Sequence, residues 1–224
     1  KIGFIREDIE SKFLAHKVND RERAMVVTSL IYAMDRISHT CGHYDSFIRD
    51  GKYEGELILR MPDNGYELNV NNHVYCADSN MIASDESVDV AYLDPPYNSR
   101  QYCDAYHLLE NVARWEKPQV FGIAKKMDRT QMKSNYCKSV EAAKALRDLV
   151  LKLNSRYILL SYNNNGKKLQ CRSNAKMTDE EIIEILSLRG DVKVFTMGYR
   201  GFDAGKSEFN KDNQERIFLC SVNK

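Results

Sequence analysis

The chain has 224 residues, 43% hydrophobic and 29% charged, with eleven glycines and four prolines. That balance builds an ordinary globular core and excludes disordered, collagen-like and low-complexity classes, while the longest largely apolar stretch, residues 24–34, is about half a bilayer span and is broken by Thr28 and Ser29. The net charge of +1 hides an asymmetry: residues 1–98 hold 10 basic against 17 acidic side chains, residues 99–224 hold 23 against 15, and between Lys117 and Lys176 there are 14 against 3, the pattern of a polyanion-binding face.

The chain starts at Lys1 rather than Met, without a cationic-then-apolar leader, and so reads as a processed or truncated product. Phe4, Ile5, Ile9, Phe13 and Leu14 recur near the helical period. A second helix starts after Asn19, with Glu22 as its capping-box partner and Val27, Leu30, Ile31, Met34 and Ile37 as its apolar positions. The segment His39 to Asp45 looks like a metal cluster by residue type, but Gly42 interrupts a regular helix and the clear ligand pairing that zinc sites prefer is missing, so no metal is expected. Residues 57–59, 66–70 and 74–76 are short, β-prone and separated by Pro62, Asn64-Gly65 and Asn71-Asn72, which predicts strands and turns. Residues 1–52 are read as a helical segment packing on a core formed by residues 53–224, one structural domain in all.

From residue 88 strand and helix alternate: strand 88–93, helices 104–115 and 141–153, and strand 157–160. A helix capped by Thr178 with Glu181 and ended by Gly190 follows, then strands 192–197 and 216–222. Alternation predicts an α/β fold whose parallel sheet carries helices on its faces; the last connection is long enough for a crossover or an antiparallel return. The six cysteines stand at least 27 residues apart with no Cys-x-x-Cys pair, as free thiols of a cytoplasmic protein do.

Three polar clusters follow predicted strands: Asp78, Asp94 to Tyr97, and Ser161 to Asn164. In an open parallel sheet these strand ends share one edge, where ligands bind, so the clusters are expected to meet. In Asp94-Pro95-Pro96-Tyr97 two prolines remove two N–H donors beside a carboxylate and an aromatic ring. Such an acceptor-only pocket suits a planar group bearing NH₂: the Asp94 carboxylate and the Pro95 carbonyl accept its hydrogens while Tyr97 stacks on the ring.

With Asn98 to Tyr102 behind the motif, Ser161-Tyr162-Asn163-Asn164 after the following strand and Cys76-Ala77-Asp78 before it, the sequence resembles the adenine-specific (N6) DNA methyltransferases of the D12 class, whose catalytic motif is Asp-Pro-Pro-Tyr. The resemblance runs over most of the chain. It implies a Rossmann-like, S-adenosylmethionine-dependent methyltransferase sheet ending in an antiparallel hairpin, and methyl transfer to N6 of a flipped adenine in double-stranded DNA, at a specific site, as in restriction–modification systems. Asp94, Pro95, Pro96 and Tyr97 become the catalytic residues, and Asp78, Ser79 and Asp94 the cofactor contacts. Arg100, Tyr102, Asn163, Asn164, Lys125, Lys126, Lys167 and Lys168 become candidate substrate or DNA contacts, with Arg129, Lys133 and Arg172 as further phosphate candidates. Tyr102, Tyr106 and Trp115 also suit packing on the sheet, and His107 is read as a helix-face residue. The aromatic-x-Gly-x-Gly loop that wraps the cofactor in this family is absent, and Gly198, Gly201 and Gly205 follow the wrong strand. Either the first strand and loop precede Lys1, or they sit on another chain, or the cofactor does not bind; the non-Met start favours the first. Two alternatives stay open: a catalytically incomplete DNA-binding fragment or subunit, and an RNA base-amino methyltransferase, because some ribosomal RNA guanine-N2 enzymes carry the motif too.

Overall fold

The computed structural model describes residues 1–38, 43–45, 55–63, 71–123, 125–163, 175–198 and 214–223. In chain order the elements are α1 (Ile2–Leu14), α2 (Asp20–Ile37), α3 (Ser79–Ile82), β1 (Ser87–Leu93), α4 (Tyr102–Ala105), α5 (His107–Arg114), the short strands β2 (Val120–Phe121) and β3 (Lys126–Met127), α6 (Ala142–Lys152), β4 (Asn154–Asn163), α7 (Asp179–Ser187), β5 (Gly190–Gly198) and β6 (Gln214–Val222). The chain forms two compact units, residues 1–73 with 102–132 and residues 74–101 with 133–224. Among the described residues no helix is long and apolar enough to cross a membrane.

The first unit is helical. Asn19 caps α2 by accepting from the Glu22 amide at 2.9 Å while the Glu22 carboxylate takes the Asn19 N–H at 2.8 Å, a reciprocal box that stabilises a helix start by about 1 kcal/mol. Ile9, Val27, Leu30, Met34 and Val112 form its core. Arg6, fully buried, does what no apolar residue could: its Nε donates to the Val112 carbonyl at 2.8 Å and a terminal nitrogen donates to Ala113 O at 3.3 Å, satisfying carbonyls at the end of α5. Its guanidinium is neutralised by Glu10 at 2.6 Å and lies 5.3 Å from the Trp115 ring centre. Of the apolar face expected for α1, Ile9 is buried and Ile5 and Phe13 are half-buried, whereas Phe4 and Leu14 are exposed and Arg6 is inside.

The second unit is a mixed α/β sandwich of one layer of helices on one sheet. The strand order is β1-β4-β6-β5, with β1 parallel to β4 and with β6 antiparallel to both of its neighbours. Alternation decides which face is covered. Ile158, Leu160 and Tyr162 of β4 and Phe218 and Cys220 of β6 point at Leu146, Leu149 and Val150 of α6 and at Ile182, Ile185 and Leu186 of α7. On the other face Val90, Tyr92, Tyr157, Phe195 and Ile217 remain partly exposed.

Several expectations are corrected. The last connection takes the antiparallel return, one of the two courses open to it and the one that the resemblance implies: β6 lies antiparallel between β4 and β5, so among the described strands of this sheet only β1 and β4 are parallel, and α6 and α7 cover one face rather than both. Residues 57–59 and 74–76 are not strands: no partner among the described residues supplies a ladder for their N–H and C=O groups, and propensity alone does not hold an isolated strand. Residues 66–70 lie outside the described residues. The helix expected over 104–115 is two pieces separated by Tyr106, with Trp115 left-handed at its end. Gly190 opens β5 instead of ending α7. A Cβ there would lie 1.9 Å from the Ser221 carbonyl oxygen, so its lack of side chain serves close strand approach.

Candidate active site

Leu93, the last residue of β1, pairs with Leu160 of β4, so Asp94 leaves the sheet at the edge where β4 continues three residues further to Asn163. The Asp94 carboxylate is exposed, while Pro95, Pro96 and Tyr97 are half-buried. What fixes this turn is Tyr162, 1% exposed, on the core face of β4. Its hydroxyl donates to the Tyr97 carbonyl at 3.3 Å and accepts from the Lys176 and Met177 amides, each at 3.1 Å. The Tyr97 carbonyl takes a second bond from the Lys176 amide at 2.9 Å. The two rings meet edge to face, 6.3 Å between centres and 80° between planes, an attractive geometry for aromatic quadrupoles. Burial pushes the Tyr162 phenol above its usual range, so it stays protonated and able to donate. Behind it, Arg216 donates to the Tyr162 carbonyl at 3.3 Å and pairs with Asp179 at the start of α7.

The residues after the motif are stitched down as well. Asn98 accepts from the Arg100 amide at 2.9 Å, a local side-chain turn. Gln101, nearly buried, brackets Ser134 with both ends of its amide, donating to the Ser134 carbonyl at 3.1 Å and accepting from its N–H at 2.8 Å. Cys137 donates to the Arg100 carbonyl at 3.4 Å. The segment 97–101 therefore enters and leaves the active edge with its backbone held at both ends.

Asp78 does not follow a strand, because residues 74–76 form none. It opens α3, accepting from the Asn80 amide at 2.9 Å, and its carboxylate is exposed. The Asn80 side chain is bonded on both ends: it donates to the Ala145 carbonyl and to Asp148, each at 2.8 Å, and accepts from the Tyr136 hydroxyl at 2.9 Å. Tyr136 belongs to the same apolar cluster as Tyr162, and Tyr97 packs against that cluster. Asp94 to Tyr97 and Tyr162 thus meet directly, as expected, whereas Asp78 reaches the same core through Asn80 and Tyr136.

The other candidates divide. Asn163 is 2% exposed and donates to Glu215 at 2.6 Å, a bracket between β4 and β6. Tyr102 is exposed and stacked on Tyr106, with centres 5.9 Å apart and planes 18° apart, rather than packed away. Trp115 instead lies between Arg6 and Lys117 and donates to Glu7 at 2.8 Å, and His107 is buried beside the Asp104 carbonyl at 3.1 Å. Among the cations, Lys126 pairs with Asp45 and Arg129 with Asp104 at 2.7 Å, which ties both into the first unit, while Arg100, Lys125 and Lys133 are exposed. Ser79 is exposed at the start of α3. Asn164, Lys167, Lys168 and Arg172, like His39 to Gly42, lie outside the described residues. Sequence reasoning passed over Asn80 and Tyr136, which carry no periodicity, their polarity or isolated aromaticity in loop-like stretches being the only trace of them, and it noted Gln101 only as part of the segment behind the motif.

Residues 2–170 match the family described as D12 class N6 adenine-specific DNA methyltransferase. The chain is 34% identical over 222 residues to modification methylase StsI of Streptococcus sanguinis, covering 97% of this chain and 33% of that protein. It is 32% identical over 227 residues to the type II methyltransferase M.FokI of Planomicrobium okeanokoites, again covering 97% of this chain and 33% of the relative. The type II methyltransferase M.NlaIII of Neisseria lactamica is 29% identical over 209 residues, 93% of this chain and 59% of that one. The chain thus spans about a third of the length of the first two relatives. No solved structure matches it. The chain belongs to the D12 class N6 adenine-specific DNA methyltransferase family.

Proposed function

We propose that this chain carries the methyl-acceptor side of a site-specific DNA adenine-N6 methyltransferase of a restriction–modification system, using S-adenosylmethionine. The observation that carries the reading is the exposed Asp94 carboxylate on a donor-free Pro95-Pro96 turn, with Tyr97 held from behind by Tyr162. Asp94 and the Pro95 carbonyl accept the two amino hydrogens of an adenine turned out of the duplex, and Tyr97 stacks on its ring. This draws the nitrogen towards tetrahedral geometry and frees its lone pair. That lone pair would take up the methyl group that S-adenosylmethionine, when bound, would supply. The amine, now cationic, then loses one N–H proton towards the Asp94 carboxylate, since so weak a base needs no prior deprotonation.

S-adenosylmethionine supplies a methyl group made electrophilic by its sulfonium. The chemistry of the residues fits its acceptor-seeking groups: the exposed carboxylates of Asp78 and Asp94 suit an adenine amino group and an ammonium, and Ser79 adds a hydroxyl. The four strands are, in this reading, the part of a Rossmann-like sheet that bears the catalytic motif. The free side of β1, which pairs only with β4 among the described residues, takes a further strand with the glycine loop. Arg100, Lys125 and Lys133 meet phosphates of double-stranded DNA. Tyr102, Asn163, Asn164, Lys126, Lys167 and Lys168 stay candidate substrate contacts from the family resemblance; Asn163 braces the end of β4 through Glu215, and Lys126 pairs with Asp45. The modification activity in the relatives' names supports the assignment.

Incubation with tritiated S-adenosylmethionine and duplex DNA, followed by nucleoside digestion, is expected to place the label on N6-methyladenine. Label on single-stranded RNA alone would move the substrate to RNA, and label on neither would reject the activity. A second reading rests on the missing Gly-x-Gly spacing: the chain is a DNA-binding subunit that takes the cofactor only with a partner. Calorimetric titration of S-adenosylmethionine into residues 1–224 separates the two, since tight binding by this chain alone refutes the subunit reading.

A further inference from the structure

Asn80 and Tyr136 have no part in the mechanism above, yet they are joined in a densely bonded polar cluster of the second unit. Asn80 uses its side-chain oxygen, its side-chain amide twice, its backbone N–H towards Asp78 and its backbone carbonyl, which accepts from Lys152 at 3.0 Å. Lys152 also holds Asp148 at 2.8 Å, closing a ring of Asn80, Asp148 and Lys152 across α3 and α6. Tyr136 is buried, and its hydroxyl reaches both Asn80 and, at 3.3 Å, the Ala145 carbonyl. A four-residue helix such as α3 is too short to hold itself in place. Its orientation is set by these side-chain bonds, and the exposed Asp78 carboxylate moves with it.

We propose that Asn80 and Tyr136 are positioning residues for the cofactor: by clamping α3 to α6 they fix the Asp78 carboxylate where an amino group of the cofactor's adenosine end can donate to it. The inference rests on the assignment of Asp78 to cofactor binding made above. Burial, and then the charges of Asp78 and Asp148, push the Tyr136 phenol well above its usual range, so the hydroxyl stays protonated and able to donate. The cluster's polar bonds run to α3 and α6 and not to residues 94–97, so its effect is expected on cofactor affinity before rate.

Tyr136→Phe keeps the ring in the core and removes only the hydroxyl. On the intact enzyme it is expected to weaken S-adenosylmethionine binding about fivefold by calorimetry, the worth of one hydrogen bond, with DNA affinity in the absence of cofactor unchanged. Asn80→Ser, which shortens the clamp from the other side, is expected to act in the same direction. A double-mutant cycle makes the path explicit: in an Asp78→Asn background Tyr136→Phe should add little, because the group it positions is already impaired. Wild-type cofactor affinity in Tyr136→Phe and Asn80→Ser, or full additivity with Asp78→Asn, overturns the inference while leaving Asp78 in place. Unaltered affinity in Asp78→Asn overturns the assignment of Asp78 and the inference together.

Discussion

Asp94→Ala is expected to reduce single-turnover methyl transfer to adenine in duplex DNA by about 10³-fold, the scale of losing a positioned proton acceptor, while the folded state is untouched. The separation is physical. The carboxylate projects from the strand end into solvent and supports no part of the packed cluster beneath it, so its removal costs the core nothing. Asp94→Asn tests the acceptor argument more narrowly: the amide keeps the shape and one acceptor but turns an NH₂ towards the substrate amino group, so it should lie nearer to alanine than to wild type. Matched melting temperatures by circular dichroism establish that the loss is chemical. Wild-type rates in Asp94→Ala would remove the proposed mechanism.

Tyr162→Phe is expected to lower both stability and rate, by different routes. Loss of the hydroxyl leaves the buried Met177 N–H without its acceptor and deprives the Tyr97 carbonyl of one of two donors, at a cost of about 1–3 kcal/mol. The ring contact with Tyr97 survives, but the backbone of the catalytic turn loses its tie to β4. A shift of a few tenths of an ångström in a stacking platform is expected to slow transfer by about tenfold. Chemical denaturation measures the first effect, and turnover measured well below the melting temperature measures the second. Leu146→Ala is the control: Leu146 is buried in the same cluster but is an apolar side chain that cannot hydrogen-bond the turn, and its truncation costs about 2–5 kcal/mol. If that variant slows turnover as much as Tyr162→Phe does, Tyr162 acts through stability alone.

The donor-free turn of the candidate site is legible in residues 94–97 themselves. Acceptor-only geometry is a property of the residues themselves: two prolines lack N–H groups wherever the turn is placed, and a carboxylate beside them stays an acceptor. The capping boxes at Asn19 and Thr178 were legible for the same reason, each being a bond between residues three apart. The strands β1, β4, β5 and β6 were legible in their apolar runs, although each extends past its predicted limits because ladder bonds continue into polar residues such as Asn154, Asn163 and Gln214. Residues 74–76 looked equally strand-like but found no ladder, since a strand needs a neighbour that propensity does not supply.

Local chemistry, then, was determined by the sequence alone: where helices start, which turn lacks donors, which half of the chain is basic. The tertiary structure decided what depends on residues far apart in the chain. It buried Arg6 against the end of a helix more than a hundred residues away, inserted β6 antiparallel between β4 and β5, tied Tyr162 to Tyr97 across 65 residues, and joined Asn80 to Tyr136 across 56. The reason is the same in each case. A buried polar group must find a partner, and the partner is chosen by which surfaces the packed layers bring together, which no local pattern records.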